Sequence, residues 1–256
     1  MSFIPGGSFK MRDPSGEKDE QGSTLLISTS LNDYWIDQTE VTFEMYDICV
    51  QSGSCEAENA SELVRILKAE SITSTFSYPV VQVNWSMAET YCQWAGGDLP
   101  TEAQWEYAAG SRPEDTAGAF LWEGIEIEDE ALCSYAHFNS CPIDNQRGIK
   151  PAPVFVGQKT LGTTEQGVSD MAGNVYEWTR GIYEFVFVPP TSNGPEPEPE
   201  SNLSVGIAGA SPTQRVLKGG SFVDESEWLT VHFRNRLSEA SRRDTIGFRC
   251  VVPVQN

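Results

Sequence analysis

Apolar residues recur at helical spacing in only a few short segments of this chain, and two consecutive segments give the clearest signal. Ser86 with Glu89 forms a capping box ahead of an apolar run that ends at Trp94. Thr101 with Gln104 forms the same box at the start of the next run. The pattern therefore predicts two capped helices that pack close together across the link GGDLP.

Two weaker helical patterns lie upstream of this pair. Met45, Ile48 and Cys49 share one helical face. They follow Thr42, and Glu44 falls in the first turn, where a carboxylate interacts favourably with the helix dipole. A further short helix is indicated by the apolar residues Leu63, Ile66 and Leu67.

The remaining hydrophobic runs are short and lie between loops rich in turn residues. Three of them are predicted as strands, namely VFVG from Val154, FVFV from Phe185 and FRCVV from Phe248. Brief helices and strands separated by much irregular backbone are typical of the α+β class.

Length and charge fit one domain that does not bind nucleic acid. The 256 residues suffice for a full core, so we expect a single domain over residues 1–256. Seventeen basic residues against 37 acidic ones give a net charge of −20, which repels nucleic acid and anionic lipid. No apolar run approaches the roughly 18 residues that suggest a transmembrane helix. Neither a nucleic-acid partner nor a membrane span is therefore expected.

A proline- and glutamate-rich insertion interrupts the chain at about residues 188–212. It contains the run PEPEPE and several Gly and Ser residues, so it has too few apolar side chains to bury a core. We expect an extended surface loop. Either it is a tolerated insertion, or it overhangs a site formed by the segments on its two sides.

Five segments with distinctive sequences follow one another along the chain. They are FIPGGSFKM from Phe3, YWIDQTEVT from Tyr34, PVVQVNWSMAETYCQWAGGDLPTEAQWEYAA from Pro79, SDMAGNVYEW from Ser169 and RVLKGGSFVDESEWLTVHFRNRLSEASRRDTIGFRC from Arg215. In sequence and order they resemble the formylglycine-generating enzyme family, also called the sulfatase-modifying factor domain. The resemblance covers nearly the whole chain and implies that family's α+β, C-type-lectin-like fold with little regular secondary structure.

Four of the six cysteines lie close together in pairs. The spacing of Cys49 and Cys55, and that of Cys133 and Cys141, allows a local disulfide within a turn or at a helix end. Six cysteines allow fifteen pairings, so spacing alone does not fix them. The alternative is that all are free thiols in a cytosolic protein.

The family resemblance adds a third bridge. It implies that the cysteine in YCQWAG, Cys92, pairs with the one in GFRC, Cys250. Three disulfides favour an extracellular, periplasmic or cell-surface location. The start MSFIPGG has no signal-peptide pattern, and because Phe3 already begins the family's first motif, we expect that a signal segment is absent from this sequence.

The residues that carry the family's oxidase chemistry are missing. The resemblance implies two cysteines after GGS that bind copper(I) as thiolates, and soft sulfur ligands suit that ion. These positions fall at Asp224 and near Leu229, and there is no cysteine between Cys141 and Cys250. No catalytic residue and no copper centre is therefore expected. The two histidines, His137 and His232, lack the spacing of a zinc or iron site.

A calcium site is the better metal prediction. The resemblance implies a structural calcium bound from the positions of Asp170, Gly173, Val175 and Glu177. Calcium prefers six to eight oxygen ligands, and two carboxylates help offset its dehydration. The alternative is a solvated turn whose acids pair with an arginine such as Arg234 or Arg236. A second calcium site is weakly indicated near Asn139, Ser140 and Asp144.

The candidate ligand face lies where the family's substrate groove would be. Trp228 stands between charged residues, and amphipathic aromatics often anchor contacts, although a core position is equally compatible with the pattern. Five arginines fall close together near the C-terminus and either bind an anion or pair with internal carboxylates. The face candidates are Tyr176, Ser221, Asp224, Glu227 and Trp228, and the arginines are Arg234, Arg236, Arg242, Arg243 and Arg249.

Three functions fit these observations. The first is a calcium-stabilised binding or structural module that has lost the oxidase centre, with a protein, peptide or small molecule as its unidentified ligand. A variant of it is a ligand-binding protein whose residues 222–243 form a diversified face. The competing function is a copper-dependent oxidase that converts a substrate cysteine to formylglycine. The oligomeric state stays open.

Overall fold

Short strands and helices form the fold, as the pattern predicts. The computed structural model describes residues 1–12, 25–73, 77–110, 129–142, 151–183 and 213–254. The strands are β1 (Ser2–Ile4), β2 (Gly7–Arg12), β3 (Leu26–Leu31), β4 (Tyr34–Ile36), β5 (Tyr176–Ile182), β6 (Gln214–Lys218), β7 (Asn235–Ser238), β8 (Ile246–Gly247) and β9 (Val251–Pro253). The helices are α1 (Phe43–Gln51), α2 (Glu62–Thr73), α3 (Trp85–Trp94), α4 (Glu102–Ala108) and α5 (Asp129–Leu132).

The described strands form three small sheets. One is antiparallel, in the order β1-β4-β9, and brings the two ends of the described chain together. A second is the antiparallel pair β2-β3. The third has the order β7-β6-β5-β8, with β5 and β8 parallel. This third sheet carries the candidate site, because β5 begins in SDMAGNVYEW and β6 leads directly into KGGSF.

The pair of capped helices is present, with one correction. Thr101 and Gln104 form the predicted capping box of α4. The predicted box of Ser86 and Glu89 is wrong: α3 begins at Trp85, and its N-cap is Asn84, whose side-chain oxygen accepts a hydrogen bond from the Met87 backbone N–H at 3.0 Å. Asn caps as well as Ser, and here it lies at the position where the backbone turns into the helix.

The face of α1 also differs from the prediction. Thr42 caps α1, but Met45 and Ile48 are exposed, whereas Phe43, Tyr46 and Cys49 are buried. The aromatic residues decide the orientation, because Tyr46 stacks on Tyr91 with 5.5 Å between ring centroids.

The predicted strand VFVG is a turn in the structure. Side chains of the SDMAGN segment take its backbone hydrogen bonds: Val154 N–H donates to Asn174 Oδ1 at 2.9 Å, and Gly157 N–H donates to Asp170. FRCVV is a strand only at its end, in β9. FVFV and the insertion at 188–212 lie outside the described residues, apart from the insertion's flanks.

The apolar core has three parts. One packs α1, α2 and α3 around Tyr46 and Phe248, and a second surrounds Trp105 on α4. The third, smaller part includes Leu132, Phe138 and Leu229. No helix of the described residues is long and apolar enough to span a membrane.

All six cysteines form disulfides, in the pairing that was predicted. Cys49–Cys55 closes the end of α1, and Cys133–Cys141 closes a loop against the third part of the core. The long-range bridge joins α3 to the residue before β9, with its Cα atoms 5.5 Å apart. Its partners are Cys92 and Cys250.

Candidate functional site

The candidate site forms where the loop after β6 meets the loop before β5. Gly173 N–H donates to the Gly219 carbonyl at 2.8 Å, and Phe222 N–H donates to the Asn174 carbonyl at 2.9 Å. Gly173 has φ +77°, and a Cβ there would meet the His137 carbonyl oxygen, so only glycine fits this approach. These contacts hold the segments GNVYEW and KGGSF side by side.

Asp224, at the first family cysteine position, closes the loop after KGGS. Its carboxylate accepts hydrogen bonds from the Ser221 backbone N–H, at 2.9 Å, and from the Ser221 hydroxyl. Its carbonyl accepts from the Asn139 N–H at 3.1 Å. Asp224 therefore acts as a structural acceptor in this loop.

Leu229, at the second family cysteine position, lies in the core. It is 1% exposed and packs with the small apolar cluster that contains the Cys133–Cys141 bridge. All six cysteines are in disulfides, so the chain has no free thiol to bind a metal. Neither position offers a sulfur ligand.

Two of the five ligand-face candidates are buried, contrary to their expected exposure. Ser221 and Tyr176 are turned inward, and the Tyr176 phenol hydrogen-bonds to Asp224 and Asn235. Burial, followed by the negative charge of Asp224, raises the pKa of Tyr176. These hydrogen bonds explain why the two side chains point inward.

The exposed part of the face is centred on Trp228. Its side chain is 43% exposed, and its ring packs on Phe233 with 4.9 Å between centroids. Glu227, its neighbour in a short 3-10 turn, is also exposed. Trp228 is thus an aromatic surface supported from one side, which is the arrangement expected of a contact residue.

The predicted calcium loop contains an arginine partner for Glu177. Arg249 donates from Nε and Nη2 to the two Glu177 carboxylate oxygens, both at 2.7 Å, and the Trp105 indole donates to the same group at 2.8 Å. Arg249 and Glu177 are fully buried. The carboxylate is therefore already neutralised, by Arg249 rather than by Arg234 or Arg236, and does not fit the role of a free calcium ligand.

Asp170 has a second acid beside it that the sequence did not single out. Glu40, in YWIDQTEVT, hydrogen-bonds to Asp170, and each has one buried carboxylate oxygen without a partner. Burial, and next the neighbouring Asp170, raises the pKa of Glu40 well above its usual range. These two oxygens, Glu40 Oε2 and Asp170 Oδ1, are the ones at this loop that a cation could take. Among the described residues, no group of three His, Cys, Asp or Glu side chains could hold a metal.

The second predicted calcium site has little geometry to judge. Asn139 Oδ1 accepts a hydrogen bond from the Ser140 hydroxyl at 3.0 Å. Asp144 lies outside the described residues.

A buried charge cluster on α4 was missed by the sequence reasoning. Lys218 donates to Glu106 at 2.7 Å with both side chains almost fully buried, and His232 Nδ1 lies 3.6 Å from the same carboxylate. His232 lies in a turn, not in the predicted strand. One turn earlier on α4, Glu102 binds Arg234 through two hydrogen bonds. The spacing of Glu102 and Glu106 on one helix face was the only available signal.

The C-terminal arginines mostly pair with carboxylates, as one of the two predicted alternatives has it. Arg242 pairs with Glu56, and Arg249 and Arg234 pair as described above. Two guanidinium groups also lie against one ring: those of Arg234 and Arg236 are 4.9 Å and 4.5 Å from the centroid of Tyr183.

Comparison with known proteins gives one family. Residues 1–254 match the family described as Sulfatase-modifying factor enzyme 1-like domain. The chain is 29% identical to Serine/threonine-protein kinase Pkn1 of Chlamydia trachomatis serovar L2, covering all of this chain but 38% of that protein. It thus spans less than half the length of that relative.

Two further relatives differ in activity by their names. The formylglycine-generating enzyme of Streptomyces coelicolor is 27% identical, with 96% of this chain and 87% of that protein covered. The inactive C-alpha-formylglycine-generating enzyme 2 of Bos taurus is 28% identical, with 70% of this chain and 52% of that protein covered. The relatives therefore include both enzymes and an inactive paralogue.

Two solved structures share the fold. PvdO from Pseudomonas aeruginosa superposes with a TM-score of 0.66 at 20% identity, covering 97% of this chain and 92% of the other. Treponema denticola variable protein 1 gives 0.60 at 21% identity, covering 98% and 94%. At these identities the likeness establishes the fold alone.

Proposed function

Since the chain belongs to the formylglycine-generating enzyme, or sulfatase-modifying factor, family, we propose that it is a member without the copper oxidase centre that serves as a binding or structural module. One observation carries this proposal: Asp224 and Leu229 replace the expected cysteine pair, and Leu229 is part of the core. A carboxylate and a buried leucine cannot bind copper(I) as two thiolates do.

Copper binding and turnover test the loss of the oxidase centre. Copper(I) is titrated into the disulfide-intact protein against a competing chelator, and the same sample is assayed for oxidation of a CxPxR peptide. We expect neither tight copper binding nor peptide oxidation. Copper-dependent oxidation would establish the competing oxidase function and overturn the proposal.

The Trp228 face is the proposed contact surface. Arrays of peptides and glycans are probed with the wild type and with the variant Trp228→Ala. Trp94→Ala is the matched control, because Trp94 is 40% exposed and also packs on one ring, that of Tyr91. We expect Trp228→Ala alone to lose the captured ligands. Equal capture by all three proteins would place the contact surface elsewhere.

We also propose a structural calcium at the Asp170 loop, with a changed set of ligands. Glu40 and Asp170 supply the unpartnered buried oxygens, while Glu177 stays paired with Arg249. A bound calcium would offset the repulsion between two adjacent carboxylates. Thermal unfolding is measured in EDTA and in calcium: we expect a higher Tm in calcium for the wild type and no calcium effect for Glu40→Gln. An unchanged Tm in the wild type would refute the site.

An extracellular, periplasmic or cell-surface location goes with this function. The three disulfides support it, because such bridges persist in oxidising compartments.

A further inference from the structure

Tyr183, at the end of the central sheet, brings two arginines together. The guanidinium carbons of Arg234 and Arg236 lie 4.9 Å and 4.5 Å from its ring centroid. Cations are attracted to the face of an aromatic ring, so the ring holds two positive groups near each other without neutralising either charge.

Arg234 is fixed in place and still has a donor to offer. Glu102 accepts hydrogen bonds from its Nε at 2.5 Å and its Nη2 at 2.7 Å. The side chain is 10% exposed, and its Nη1 is buried without a hydrogen-bond partner. An unpartnered buried donor is costly, and an anion that reaches it would satisfy it.

The charges beneath this pair cancel. Glu102 is paired with Arg234, and Glu106 is paired with Lys218. Arg236 is exposed on β7 and adds a positive charge at the surface. In a protein whose net charge is −20, such a local excess of positive charge is a selective place for an anion.

The arginines adjoin the aromatic surface already described. Phe233, next to Arg234 in the chain, packs on Trp228. A single ligand can therefore lay an apolar part on Trp228 and direct an anionic part towards the arginines.

We propose that Arg234 and Arg236 form a binding site for an anionic group, a carboxylate, sulfate or phosphate, carried by the ligand of the Trp228 face. The forked geometry of guanidinium groups suits the paired oxygens of such anions. The location beside Trp228 rests on the proposed function, whereas the anion site itself stands on the arginine geometry.

Small anions test the site directly. Sodium acetate, sulfate and phosphate are titrated separately into the protein, with sodium chloride at equal ionic strength as the reference, and the Arg Nε–Hε resonances are followed by NMR. We expect saturable shifts for Arg234 and Arg236, and the anion that binds most tightly identifies the chemical group. Shifts no larger than those in chloride would overturn the proposal.

Variants separate the site from general charge effects. Arg236→Gln changes an exposed residue, and we expect about tenfold weaker anion binding, in line with the loss of a charge-assisted hydrogen bond. Arg242→Gln is the control, because Arg242 is instead tied to Glu56 and Asn59, and it should bind as the wild type does. Equal weakening by both variants would show a non-specific charge effect and refute the site.

One further variant distinguishes this proposal from the proposed function. Trp228→Ala should leave anion affinity unchanged, because the arginines do not depend on that ring. If anions bind but the Trp228 face captures no ligand, the proposed function fails while the anion site stands. If ligands are captured equally by wild type and Arg236→Gln, the anion site fails while the Trp228 face stands.

Discussion

Arg249 compensates the densest group of buried acids in the described residues. It pairs with Glu177, and its remaining donors reach the carbonyls of Asp37 and Ser169 at 3.1 Å and 2.9 Å. Asp170 and Glu40 lie within range of its charge. A guanidinium is well suited to this position, because it stays ionised when buried and offers five directed donors.

The Lys218–Glu106 pair predicts a dependence of stability on pH. Burial alone would raise the pKa of Glu106, but Lys218 and His232 outweigh it, so the pKa lies below the ordinary value of 4.5. The folded state therefore binds this proton less readily than the unfolded chain does. The stabilisation is complete above about pH 4.5 and is lost as the pH falls through the lower folded pKa.

Urea unfolding from pH 7 to pH 3 tests this sign. We expect the free energy of unfolding of the wild type to fall more steeply below about pH 4.5 than that of Glu106→Gln, which cannot titrate at this position. The difference between the two curves isolates Glu106 from the other acids. A difference that does not change with pH would contradict the lowered pKa.

At the scale of elements, caps and short contacts set where each helix begins. The α3 cap is Asn84, while Ser86 lies within the first turn and donates its hydroxyl to Asn84 Oδ1 at 3.0 Å. The neighbouring α4 begins at a complete capping box, so both helices start at residues that satisfy their free backbone donors.

Replacing the cap and its neighbour separates the two assignments. Asn84→Ala should lower the free energy of unfolding by about 1 kcal/mol, because the Met87 N–H loses its acceptor. Ser86→Ala, a change at an exposed residue, should cost no more than about 0.5 kcal/mol. Urea denaturation measures both. A larger loss for Ser86→Ala would restore Ser86 as the cap.

At the scale of the whole molecule, the disulfides differ in how much chain they constrain. Cys92–Cys250 spans 158 residues, whereas Cys49–Cys55 spans 6. The longer bridge ties α3 to the β1-β4-β9 sheet, so it links separate parts of the core. In the chain-entropy model, a longer closed loop removes more freedom from the unfolded chain.

Removing each bridge tests this difference. The chain-entropy model gives a loss of about 5 kcal/mol for Cys92→Ala with Cys250→Ala and about 2 kcal/mol for Cys49→Ala with Cys55→Ala. Chemical denaturation of the two double variants measures the losses. Similar losses would mean that local packing, not loop closure, dominates both bridges.

Local signals could be predicted from the sequence, and pairings across the chain largely could not. The Thr101–Gln104 box involves four consecutive residues, so its geometry is written in the sequence. The Arg249–Glu177 pair joins residues 72 apart, and Lys218–Glu106 joins residues 112 apart. No periodicity reveals such partners, because any buried acid accepts whichever cation the fold brings to it.

The sequence by itself determined the family, the α+β class and the absence of cysteines at the positions of the oxidase pair. It did so because these depend on residue identity and order. Only the tertiary structure decided that Leu229 is buried, that Arg249 neutralises Glu177, and that two arginines meet at Tyr183. Burial and charge pairing depend on which distant segments pack together, and that is settled by the folded chain as a whole.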